Sequence, residues 1–255
     1  MGYEAAESAE DGVREGEADF SPLERPAVRT GRTGARALAA SRRMKQLVTG
    51  AGFMVLLAAG WIFPLIGYFI PACMILGIGI AVRKGRSWCN WLCPRGAFTD
   101  AYLRVTSPAR KIPSWLRGLP VRAGVMAFLM GMLGYQITRL WPDWLAIGGF
   151  FMLLLTITTA VVVLLALLVH QRSWCYICPI GTMSNWVGKN RDPLRMNRDA
   201  CVECGLCEKA CPMQLSPLQL KAEEGMDHRG DCLKCGLCVA SCAKGALGIT
   251  SRRPV

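Results

Sequence analysis

Apolar residues run in long blocks through the middle of this chain, and polar residues dominate both ends. From Gln46 to Val82 there are 37 residues without a charge. One helix of that length would reach about 55 Å, well past a hydrocarbon core of about 30 Å. Gly60, Pro64 and Pro71 offer places to break it, so the pattern predicts one helix from about Met44 to Gly60 and a second from about Leu65 to Val82. A single span with a re-entrant half is the alternative. Ala123 to Thr138 is a weaker span, whose Gly124, Gly131 and Gly134 suit close helix packing. Trp144 to Val169 is a stronger one, with 26 uncharged residues.

The flanks divide the chain. Residues 1–40 have no apolar period and carry Glu4, Glu7, Glu10, Asp11, Glu15, Glu17, Asp19 and Glu24. They read as a disordered tail that cannot bury enough surface to offset its ordering entropy, and they lack the apolar core of a signal peptide. Ser41-Arg42-Arg43 has a twin-arginine flavour, but Lys45 and Gln46 follow where such a signal turns apolar. A basic flank for the next helix is the better reading. Residues 41–190 form the predicted membrane domain, and 191–255 a small polar, cysteine-rich domain. The expected fold is an all-α polytopic membrane domain of about four transmembrane helices in two repeated hairpins, followed by a small α+β domain.

Charge orients these helices. The chain has a net charge of +12 with 52% hydrophobic residues and a mean hydropathy of +0.29. That mixture suits a membrane protein with basic cytoplasmic loops; a nucleic-acid partner would call for a basic soluble domain with a groove-reading motif. Arg83, Lys84, Arg86, Arg95, Arg104, Arg110, Lys111, Arg117 and Arg122 lie between the second and third spans, against Asp100 alone. The opposite connections hold only Arg139 and Asp143. By the positive-inside rule the N-terminus, the central loop and the C-terminus face the cytoplasm of a multi-pass inner-membrane protein.

Thirteen cysteines supply the candidate chemistry. Cys201, Cys204, Cys207 and Cys211-Pro212 read C-x2-C-x2-C-x3-C-P. Cys232, Cys235, Cys238 and Cys242 repeat the spacing 31 residues on, with Ala243 in place of the proline. The run resembles that of a bacterial two-cluster ferredoxin, in which the fourth cysteine of each run ligates the other run's cluster. This implies Cys201, Cys204, Cys207 and Cys242 for one [4Fe-4S] cluster, and Cys232, Cys235, Cys238 and Cys211 for the other. Structural zinc is the rival for C-x2-C pairs, but it rarely takes three cysteines at two-residue gaps plus a fourth, duplicated in full. Iron needs these eight as thiolates, which places them in a reducing compartment and agrees with the charge argument.

Four further cysteines sit in an internal repeat. Arg86-Ser-Trp-Cys-Asn-Trp-Leu-Cys-Pro-Arg-Gly and Arg172-Ser-Trp-Cys-Tyr-Ile-Cys-Pro-Ile-Gly are one motif written twice, each directly after a span. Two hairpins related by an axis along the membrane normal would bring Cys89, Cys93, Cys175 and Cys178 to one face. Three roles fit them: a third iron–sulfur cluster, a metal ion, or exchangeable thiols. The plain alternative is that each Cys-Pro only stops a helix; Trp88, Trp91 and Trp174 themselves read as interfacial belt residues. Cys73, alone inside a span, reads as a small apolar residue. The only histidines are His170 and His228, which argues against a transmembrane bis-histidine haem, and no G-x-G-x-x-G marks a flavin or nicotinamide site.

With these motifs, the region from about 40 to 250 resembles the membrane polyferredoxins of the quinol dehydrogenase type, which include the iron–sulfur subunit of periplasmic nitrate reduction and its methylamine-utilisation relative. The resemblance implies electron transfer between membrane quinol (the quinone pool) and a partner redox subunit. Two other functions stay open: an accessory factor for metalloenzyme assembly using the Cys-Pro loops as reductant or metal carrier, and a redox-sensing regulator. The chain departs from the family pattern twice. Its second loop is one residue shorter than C-x3-C-P, and Ala243 is expected to loosen the backbone after Cys242.

Overall fold

The computed structural model describes residues 32–189, 191–221 and 229–249. Most of the expected acidic tail, and His228, lie outside these residues. Helix α1, Arg32–Ile62, begins earlier than expected, so residues 32–40 are already helical. It breaks at Phe63, whose backbone is extended before Pro64 as the proline ring requires, and a 3-10 turn over Pro64–Tyr68 leads into α2, Phe69–Lys84. The long uncharged stretch is therefore two helices divided at Pro64.

The first Cys-Pro loop follows as two short helices, α3 (Ser87–Trp91) and α4 (Pro94–Phe98). The chain then widens into a π-helical turn over Thr99–Leu103, within which Asp100 is buried. A short α5, Ser114–Arg117, precedes α6, Leu119–Leu140, and α7, Trp144–Leu168, with Asp143 capping two amides of the latter's first turn. Among the described residues three helices are long and apolar enough to cross a membrane: α1, α2 with its preceding turn, and α7. Helix α6 has 22 residues, about 33 Å of rise, but carries Arg122 and Arg139. Its Gly124, Gly131 and Gly134 meet nothing within 4 Å. The close helix packing expected of these glycines is thus absent, and α6 meets α7 through larger side chains such as Met132, Leu133 and Ile137.

The second loop repeats the pattern with α8 (Trp174–Ile177) and α9 (Pro179–Gly188). A two-stranded antiparallel sheet then brackets the cysteine-rich domain: β1, Leu194–Met196, pairs with β2, Leu247–Ile249, in the register Leu194 to Ile249. Between the strands lie α10 (Leu206–Lys209) and α11 (Leu237–Ser241).

One core runs through both parts. Trp88, Cys89, Trp174 and Tyr176 from the loops are continuous with Leu194, Met213, Leu215, Leu233 and Leu247 of the small domain. The Tyr176 hydroxyl donates to the Met213 carbonyl at 2.5 Å, and its ring lies 5.0 and 5.3 Å from the Arg117 and Arg122 guanidinium carbons. Gln214 accepts from the Ile112 amide and donates to the Arg110 carbonyl, both at 2.9 Å. Leu38 of α1 reaches Gly236. The small domain is seated on the loop face of the helices.

Candidate iron–sulfur sites

Each Cys-Pro loop is built by the same local rules. Cys93 and Cys178 take extended backbones (ψ 110° and 128°) because a proline follows, and Pro94 and Pro179 then open α4 and α9 with the missing N–H at a position that needs none. The amides of Cys93 and Cys178 both donate at 2.9 Å to the carbonyl of the motif tryptophan, Trp88 and Trp174 respectively. The extra residue of the first loop is Leu92, half exposed, whose amide bonds to that same Trp88 carbonyl. The two loops are therefore equivalent despite their different lengths: Leu92 bulges out and the cysteines keep their places.

Two arginines cross-link the loops. The Arg86 Nη2 donates to the Cys175 carbonyl at 2.7 Å, and the Arg172 Nη1 donates to the Cys89 carbonyl at 3.2 Å. The motif glycines make room for them. A Cβ on Gly181 would stand 2.8 Å from Arg86 Nη2 and 2.9 Å from the Cys175 carbonyl; one on Gly96 would stand 3.0 Å from Arg172 Nη1. Each motif's arginine and the other motif's cysteine and glycine form one joint, made twice.

Each arginine is held from behind by a buried carboxylate. Asp100 accepts from Arg172 Nε and Nη2 at 2.8 and 2.5 Å, from Arg42 at 2.7 Å and from the Gln46 amide at 2.8 Å. Burial alone would raise the Asp100 carboxyl; Arg172, then Arg42 and Gln46, overcome this and hold it below its ordinary value. Asp231, with no exposed surface, accepts from Arg86 at 2.7 Å, from Arg122 at 2.9 and 2.5 Å, and from the Asn185 amide at 2.8 Å. Arg42, Arg86, Arg122 and Arg172 are thus all buried, so part of the positive charge expected to mark a membrane surface is internal structure. Trp88 and Trp174 are buried as well, not belt residues, because they wall the space between the loops.

That space is a cavity of about 130 Å³ lined by Cys89, Cys93, Cys175 and Cys178 together, and it continues between the helices past Phe53, Leu133 and Leu154. Cys73 also lines it. Burial pushes the Cys89 thiol up against the pull of Arg86, and the Cys93 thiol up to about 12. Arg95 reaches into the cavity and donates to the Thr158 hydroxyl of α7 at 2.9 Å. Burial lowers its pKa, but a guanidinium stays cationic. The Trp174 Nε1 and Gln171 Oε1 atoms, on residues that line the same cavity, are buried without a protein partner. Soft sulfur donors from two sides, a volume larger than one atom and an orphaned N–H donor fit an iron–sulfur cluster. Among the described residues no three His, Cys, Asp or Glu side chains converge tightly enough for a single metal ion, whose sulfur ligands would stand about 3.8 Å apart.

In the small domain a second, smaller cavity is lined by Cys211 with Cys232, Cys235 and Cys238, the crossed set expected from the spacing. Of the other set, Cys207 is buried and Cys201 neighbours it; Cys204 is exposed, and Cys242 closes α11, which packs on α10. The two runs share a backbone. Glu203 and Lys234 have φ of 53° and 54°, and Gly205 and Gly236 have φ of 70° and 73°. Left-handed residues alternating with right-handed ones turn successive N–H groups inward, the concave cradle found at iron–sulfur sites. Cys242 makes the same turn as Cys211: Gly245 N–H donates to its carbonyl, as Gln214 N–H does to that of Cys211. The Ala246 amide also donates to the Cys242 sulfur, so the backbone after Cys242 is tied in spite of Ala243.

Two family models cover these twelve cysteines. The model of a 4Fe-4S binding domain matches residues 66–113 and 144–198, and that of a 4Fe-4S dicluster domain matches 200–247. The methylamine utilization ferredoxin-type protein MauN of Methylorubrum extorquens is 31% identical over 51% of this chain and 48% of its own length. That of Paracoccus denitrificans is 30% identical over 60% and 57%. The putative electron transport protein YccM of Escherichia coli is 26% identical over 56% and 45%. The chain spans about half the length of these relatives. No solved structure matches it.

Proposed function

We propose, for a chain that belongs to the MauN-like ferredoxin-type polyferredoxins, that it is a membrane-bound iron–sulfur electron-transfer protein with three [4Fe-4S] sites. The observation that carries this is the meeting of Cys89, Cys93, Cys175 and Cys178, from loops some eighty residues apart in sequence, on one cavity. These four would hold one cluster, Cys211, Cys232, Cys235 and Cys238 a second, and Cys201, Cys204, Cys207 and Cys242 a third. Such clusters, when bound, supply one-electron carriers. A series arrangement is favoured by two facts: Asp231, which is bonded to Arg86 and Arg122, precedes Cys232, and Cys204 is exposed between the exposed Val202 and Leu206. The helical end of the cavity favours an apolar reductant from the bilayer, a quinol, and the Cys204 face favours a soluble or subunit redox partner.

A shared cavity also bears on topology. One loop follows α2 and the other follows α7, so α6 would cross outward and α7 back for both to lie on one face. With the basic loop between α2 and α6 setting the side, this would give four spans with both termini in the cytoplasm. Reporter fusions after Arg117 and after Val255 should both report cytoplasm, and one near Trp141 the opposite side. A C-terminal fusion active only outside would overturn this topology.

Anaerobically purified protein should contain about twelve iron atoms per chain, and a quinol analogue should reduce part of that iron in detergent. About eight irons would remove the membrane site from the reading. Full iron that no quinol reduces would leave the sites and refute the donor.

A further inference from the structure

The two copies of the repeated motif differ in side-chain charge at one telling position. Arg95 in the first copy stands where Ile180 stands in the second, between the proline and the glycine of each. The two side chains line the same cavity from opposite loops. Ile180 is packed against α2 at Gly77, while the Arg95 guanidinium is pinned by Thr158 inside the helices. The other arginines near the site are spoken for: Arg172 and Arg42 share Asp100, and Arg86 and Arg122 share Asp231. Among the described residues Arg95 has no carboxylate partner.

We propose that Arg95 sets the reduction potential of the group held by Cys89, Cys93, Cys175 and Cys178, acting as a fixed cation that stabilises its reduced form. This rests on the three-site reading above. A four-iron cluster on four thiolates carries two negative charges when oxidised and three when reduced, so each reduction adds negative charge to a space with little water. A cation in that space lowers the energy of the reduced form more than that of the oxidised form. Two arginine pairs, each offset by one aspartate, leave a partial positive balance behind the loops. Arg95 adds a full charge in front of them, on the side from which an apolar donor would approach. Thr158 keeps that charge from swinging out along the cavity. Ile180 leaves the opposite wall apolar, so the field is one-sided.

The test is a potentiometric titration followed by electron paramagnetic resonance on anaerobic wild-type protein and on R95Q, R95K and T158V, with iron counted in each. R95Q should make the membrane cluster harder to reduce on the order of tenfold, about 59 mV for one electron, and leave the other two potentials unmoved. R95K, which keeps the charge, should stay within about twofold of wild type. An R95Q protein with full iron and an unshifted potential overturns the proposal. So does an R95K shift as large as that of R95Q, because shape and not charge would then be responsible. If R95Q cannot hold the site's four irons, T158V decides. It keeps the charge and the volume and removes only the anchor, so a shift of the same sign, about threefold, supports the role and an unmoved potential refutes it. Wild-type protein with only eight irons would instead defeat the three-site reading, an outcome distinct from each of these.

Discussion

Replacing Asp231 with alanine should destabilise the assembly by about 3–5 kcal/mol, the usual cost of stripping one partner from a buried ion pair. Its carboxylate is the only described anion on Arg86 and Arg122, and it has no exposed surface. Without it two guanidinium groups stay desolvated and unpaired, and Arg86 loses the support that aims it at the Cys175 carbonyl. Asn185 loses its acceptor as well. A thermal melt in detergent, followed by fluorescence-detected size exclusion, should fall sharply, with iron lost first from the loop site. D231N keeps the shape and some hydrogen bonds and should fall less. Replacing Asp231, Arg86 and Arg122 together by apolar residues of similar volume should recover much of the stability but not the loop site, since the Arg86 cross-link would be gone. A D231A protein with wild-type melting and full iron would show that this network contributes nothing.

Serine at Cys93 should remove about four irons per chain while the eight of the small domain remain. G181A should reach the same end by another route. Its added methyl group would meet a backbone carbonyl at 2.9 Å and Arg86 Nη2 at 2.8 Å, and neither can yield without breaking the joint. Overpacking of this kind costs about 1–3 kcal/mol. G124A is the control, since a methyl there meets nothing within 4 Å and stability should change by less than about 1 kcal/mol. Iron analysis and the signal of the small domain's paired clusters separate these outcomes. Unchanged iron in C93S with altered alkylation would favour exchanging thiols, and no response at all would reduce the Cys-Pro steps to helix stops.

Hydropathy located the helices because burial in lipid demands long apolar runs, and Pro64 divides the first run for a local, readable reason. The spacing also singled out Cys211, Cys232, Cys235 and Cys238 as one group, and these four line one cavity. The charged joints were not legible. Nine basic residues against one acidic residue look like a membrane-facing loop, yet Arg86 and Arg122 are internal and Asp100 is the centre of a buried network. Charge counting treats every arginine as solvated; only tertiary structure shows which has found a carboxylate 72 or 145 residues away. A signal was present in the repeat itself. Arginine and glycine recur in both copies as faithfully as the cysteines, and each pair turns out to be a contact between the copies. Arg95 against Ile180 was equally visible as a difference, but nothing in the chain alone says that both line one cavity.

The Arg86 to Asp231 bond spans 145 residues, so its acid is translated long after its base. A ribosome that has delivered both membrane hairpins has not yet delivered the acid that steadies the first of them. Until residue 231 emerges, Arg86 and Arg122 lack the carboxylate that accepts from both of them. A chain cut before residue 231 should therefore leave the Arg86 bond to the Cys175 carbonyl without its support from behind.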